Sequence, residues 1–122
     1  MSFVMPDEHT LIVEGQKMLE DKKFEETIEW CNKILEIQPE NIIALNYKGM
    51  GYLEQNKFDE AYECLDKAYK IAPTVEYIII NRIAILVRAG RNEEAAIANA
   101  EAPLHMRENN YPVSYTHLTL PT

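Results

Sequence analysis

Two cysteines, four glycines and three histidines are all that this chain of 122 residues offers to the commonest site chemistries. Cys31 and Cys64 form no CxxC pair, so neither a zinc ribbon nor a redox motif is present. Two thiols cannot make a disulfide framework. Both fall on the packed side of a helical pattern and read as reduced core thiols, which suits a cytoplasmic compartment. The four glycines are scattered, which excludes a glycine-rich phosphate loop. His9, His105 and His117 lie far apart, with none of the spacings of a metal site. No serine or cysteine stands in a nucleophile signature. No cofactor, no metal and no catalytic residue is therefore expected, and the chain reads as a non-enzyme.

Positive charge is also scarce. Twelve lysines and arginines face twenty acidic residues, a net charge of -8. A nucleic-acid binder must neutralise phosphates with cations, so nucleic acid is not an expected partner. Acidity equally disfavours an anionic membrane surface. No run of about 18 apolar residues exists to span a bilayer. The most apolar stretch, 77–87, is interrupted by Asn81 and Arg82. The start, MSFVMPDEH, lacks the basic and apolar regions of a secretory signal.

What the chain does contain is a period of 34 residues. Gly15 returns as Gly49, Phe24 as Phe58, and Pro39 as Pro73. Leu11, Leu45 and Ile79 align, as do Thr27, Ala61 and Ala95, and Glu26, Glu60 and Glu94. A fixed period of this length means stacked helical hairpins, each too small to bury its own apolar face.

Each unit holds two helical stripes. Unit one places Leu11, Gly15, Met18 and Leu19 on one face. It breaks at Asp21-Lys22-Lys23, then continues with Phe24, Thr27, Ile28, Cys31, Ile34 and Leu35. Offsets of three and four mark amphipathic helices. Unit two breaks at Gln55-Asn56-Lys57 and unit three at Ala89-Gly90-Arg91. Pro39 and Pro73 close the first two units, because proline cannot continue a helix. Acidic pairs at Glu25-Glu26, Asp59-Glu60 and Glu93-Glu94 suit helix N-termini. Asn41 and Thr74 stand where N-caps belong. Gly15 and Gly49 are expected to let the first helix of a unit approach the small residues Thr27 and Ala61 of the second.

This pattern resembles the tetratricopeptide repeat. Unit two carries it best, in Leu45, Gly49, Tyr52, Ala61, Leu65, Ala68 and Pro73. Unit one carries Leu11, Gly15, Met18, Thr27, Cys31, Ile34 and Pro39. The resemblance covers roughly Glu8 to Ala102. It implies an all-α, right-handed superhelical solenoid of three antiparallel helix-turn-helix repeats, at 8–41, 42–75 and 76–109. Residues 1–7 precede them and 110–122 follow as a disordered tail. Unit three departs from the pattern. Ile83 replaces the small residue, Asn99 an apolar one, and Pro103 arrives early, so its second helix should be short or kinked.

The resemblance also implies a binding groove. First-helix residues beside the packed stripe would line it. In unit one these are His9, Ile12, Val13 and Gln16; in unit two, Ile43, Asn46, Tyr47 and Met50. In unit three they are Tyr77, Ile80, Asn81 and Ala84. The expected partner is another protein, held as a peptide or helix. Asn side chains would meet its backbone and apolar anchors its side chains. Family members that grip a C-terminal carboxylate use Lys, Asn, Asn, Lys and Arg. The matching positions here hold Ile12, Gln16, Tyr47, Tyr77 and Asn81, so that clamp is excluded. The rival reading makes these repeats the regulatory or substrate-docking part of a larger enzyme.

The last ten residues, VSYTHLTLPT, show no repeat and no helical period. Back-translated, they resemble the transposase adapter of fragment-library DNA sequencing. The expectation is that residues 113–122 are translated adapter, and that the natural chain continues differently after Pro112. The third repeat would then lack its cap, and its open face would permit self-association.

Overall fold

The computed structural model describes residues 3–106. The expectations for 110–122, and the last three residues of unit three, 107–109, lie outside the described residues. Six helices follow one another: α1 Glu8–Glu20, α2 Phe24–Ile37, α3 Ile42–Glu54, α4 Phe58–Ile71, α5 Glu76–Arg88 and α6 Asn92–Glu101. No strand interrupts them among the described residues. Each helix packs on the next, while α1 also touches α3 and α3 touches α5. The odd-numbered helices thus form a continuous row, and the even-numbered ones back it.

The three turns inside the pairs fall where the polar breaks stand in the sequence. Each bends through a left-handed residue: Lys22 at φ 61°, Asn56 at φ 61° and Gly90 at φ 77°. The same backbone torsion thus recurs with the sequence period. Only at the third site does glycine remove the steric cost of that conformation.

The acidic pairs do open α2, α4 and α6, against the positive ends of their dipoles. Asn41 caps α3, its side chain accepting from the Ala44 amide at 2.9 Å. Thr74 does not cap α5: the helix starts one residue later, after Val75, with no side-chain bond at that end. Asp7 caps α1 by accepting from the Thr10 amide at 2.8 Å. That bond holds its carboxyl below the usual carboxylate range.

The apolar spine runs in three linked clusters. Leu11, Cys31, Ile34 and Ala44 join the first pair to the second, and Phe3 and Met5 pack onto them from the N-terminal segment. Leu45, Ala61, Leu65, Ala68, Ile78 and Ile85 join the second pair to the third. Both cysteines are buried and free. Burial pushes the Cys31 thiol up to about 12 and the Cys64 thiol to about 11. Neither forms the thiolate that makes a cysteine reactive near neutral pH.

Gly49 behaves as the sequence implies. A Cβ there would overlap Leu65 Cδ2 and stand 3.3 Å from the Ala61 carbonyl oxygen. Gly15 does not. The atoms nearest its missing side chain belong to Tyr47 of α3 rather than to α2; a Cβ would lie 2.6 Å from Tyr47 Cδ2. The close approach is between repeats rather than within one.

The third pair is shortened. α6 has 10 residues against 14 in α2 and α4, and it ends ahead of Pro103. Beyond it, Met106 is fully buried in a cluster with Ile79, Ile83, Leu86, Ala95, Ala98 and Ala102. Part of the face that the sequence leaves open is therefore covered by the chain itself.

Candidate functional site

The row of α1, α3 and α5 presents one shared surface, and a groove of about 300 Å³ lies across it. Ile12 comes from α1; Ile43, Asn46 and Tyr47 from α3; Tyr77 and Asn81 from α5. These six are among the twelve residues that the sequence proposes for the groove. Glu8 completes the lining and was not among them. Its place in the first turn reads equally as a partner of the helix dipole, so nothing in the sequence set it apart.

The other six proposed residues do not line this groove. Val13 is exposed one step around α1. Gln16 is turned to Glu20, with 3.5 Å between Nε2 and Oε2. Met50 packs, half-buried, on the cluster around Leu65, and Ile80 on the one around Ile83. Ala84 is half-buried, and His9 is exposed outside the groove lining.

Local contacts fix the lining. The Tyr47 ring lies over Gly15, and its hydroxyl donates to the Ile12 carbonyl at 3.1 Å. Asn81 Nδ2 donates to Asn46 Oδ1 at 2.8 Å, tying α5 to α3. Both bonds span one repeat, so stacking in phase is what creates them. Burial pushes the phenols of Tyr47 and Tyr77 upward, and Cys31 and Tyr47 respectively add to the effect, so both rings stay neutral. Asn46 is buried, whereas Ile12 is 39 % and Tyr77 38 % exposed. Large apolar side chains here meet water on one face beside a buried amide. Ile37, Ile97 and Leu104 are exposed singly elsewhere, which is ordinary for a protein surface.

Among the described residues, no group of three or more His, Cys, Asp or Glu side chains could hold a metal. No helix among them is long and apolar enough to cross a membrane.

A second polar assembly escaped the sequence reading. Arg82 of α5 stacks between two α4 rings, 4.5 Å from the Tyr69 centroid and 5.3 Å from that of Tyr62. Its Nε donates to Asp66 at 3.2 Å and its Nη2 to the Tyr62 hydroxyl at 2.9 Å. Arg91, bonded to Glu94, covers the same Tyr62 ring at 4.5 Å. These contacts join repeats. The only sequence signal was an arginine placed inside an otherwise apolar helix.

The family model of the tetratricopeptide repeat matches residues 42–75. No curated protein matches the chain. Repeats of this family are generally protein-interaction modules and typically non-catalytic. The α3–α4 pair thus matches the tetratricopeptide repeat, the pairs before and after it share its helix-turn-helix build, and the described residues form a helical repeat array similar to those of that family.

Proposed function

We propose that the chain is a protein-binding scaffold whose groove across α1, α3 and α5 holds a peptide or helix of a partner. The observation that carries this reading is the Asn46–Asn81 pair at an apolar groove. Each amide spends one polar atom on the other. Asn46 Nδ2 and Asn81 Oδ1 then remain, one donor and one acceptor, to meet a partner's backbone. Ile12, Ile43 and Tyr77 supply apolar area for its side chains. Each such side chain, fully buried, is worth about 1.5–3 kcal/mol.

Tyr77 is the residue to test, because its exposure leaves the core intact when it is cut back. Peptides selected from a random display library against the folded chain should bind Tyr77→Ala at least about tenfold more weakly. That is the scale of an interface tyrosine. The unfolding midpoint of the variant should stay near that of the parent. Titration calorimetry reads the affinity. Selected peptides that bind parent and variant alike would remove the groove from the account.

A further inference from the structure

We infer that the groove selects a partner segment in which a lysine or arginine stands next to an apolar side chain. This rests on the groove being the partner site, as proposed above. Glu8 is the one charged side chain that lines the groove. It makes no hydrogen bond or ion pair within the described residues, and the cap of its helix is supplied by Asp7 instead. Its carboxylate is thus left at the groove rim, close enough to act electrostatically on the Tyr77 phenol. No lysine or arginine lines the groove. Arg88, further along the same row, is held by Glu54 at 3.3 Å.

The chemistry follows from those positions. A partner carboxylate would meet Glu8 with no cation to offset the repulsion. A partner ammonium or guanidinium would pair with Glu8 and find the faces of Tyr47 and Tyr77 beside it, which attract cations. Its methylene stem would lie along Ile12 and Tyr77. The neighbouring apolar side chain would fill the space between Ile12 and Ile43. The chain's net charge of -8 would raise the encounter rate with such a segment and make it fall with salt.

Peptides selected from an unbiased random display library are the probe. Lysine or arginine should be enriched one to three positions from Leu, Ile, Met or Phe. The leading peptide should bind Glu8→Gln roughly threefold and Glu8→Lys roughly tenfold more weakly, the scale of an exposed ion pair lost or reversed. A copy of that peptide with glutamate in place of its basic residue should prefer Glu8→Lys to the parent. Unfolding curves establish that both variants fold. Peptides that depend on Tyr77 yet lack basic residues, or ignore Glu8→Lys, overturn this inference and leave the groove standing. A library that yields no Tyr77-dependent binder overturns both.

Discussion

Replacing Gly49 with valine should destabilise the array by about 3 kcal/mol or more, at the upper end of what overpacking costs. The reason is local. A Cβ at Gly49 would overlap Leu65 Cδ2, which is fully buried and cannot swing into solvent. Cys64 Cβ and the Ala61 carbonyl stand 3.3 Å away on the other sides. The two extra methyl groups of valine have nowhere to go unless α3 and α4 separate. Alanine at the same site adds the same overlapping Cβ without the two methyl groups. It should still destabilise but by less than valine, because Leu65 need shift only for one carbon and about 1 kcal/mol of helix propensity offsets part of the strain. Gly90 is the control for a different mechanism. No atom lies within 4 Å of a Cβ there, but φ is +77°, so Gly90→Ala should lose roughly 1 kcal/mol through the backbone alone. Urea unfolding followed by circular dichroism ranks the three variants. A valine variant as stable as the parent would mean that α3 and α4 do not approach each other as described.

Arg82→Ala should cost about 2–4 kcal/mol, concentrated at the junction of the second and third pairs. It removes two ring contacts, each worth about 0.5–2 kcal/mol, and a charge-assisted bond to Asp66. It also leaves the Tyr62 hydroxyl with only a long, 3.5 Å contact to Asp66. Arg82→Lys keeps the charge but loses the planar fork that serves Asp66 and Tyr62 together, so it should fall between the two. Amide hydrogen exchange should quicken in α5 and α6 well before α1 and α2, because each pair leans mainly on its neighbours.

The same site sets a response to acid. Burial raises the Asp66 carboxyl, but its bonds to Lys70 and Arg82 outweigh that and hold it below the usual range. Its contribution is therefore complete above the ordinary carboxylate value of about 3.9, and it is lost as pH falls through the lower folded value. The difference in stability between parent and Arg82→Ala should narrow as the solution is acidified below about pH 4. A gap that stays constant would mean that Asp66 takes no part.

The local structure was legible in the sequence because each signal sat within one turn of its effect. The breaks at 21–23, 55–57 and 89–91, the acidic helix starts and the early Pro103 all act on their own backbone. What crosses from one repeat to the next was not. Periodicity says that Gly15 lies on a packed face, but not that Tyr47 of the following pair covers it. It marks Arg82 as an intruder in an apolar helix without revealing the two tyrosines that receive it. Met106 and Phe3 lie outside the periodic stretch, so their burial had no signal at all. The groove shows the same division. Phase selected Ile12, Asn46, Tyr47, Tyr77 and Asn81. Glu8 needed the cavity itself, since a carboxylate in a first turn has a local explanation already.

Successive pairs stack in register, so that α1, α3 and α5 share one surface. Nuclear Overhauser spectroscopy on the isotope-labelled chain tests it at two points of that surface. Cross-peaks are expected from the Tyr47 ring to the Gly15 α-protons, and from the Asn81 side-chain amide to Asn46. A folded chain whose Tyr47 ring contacts residues other than those of α1, with the two amides showing no mutual cross-peak, would contradict it.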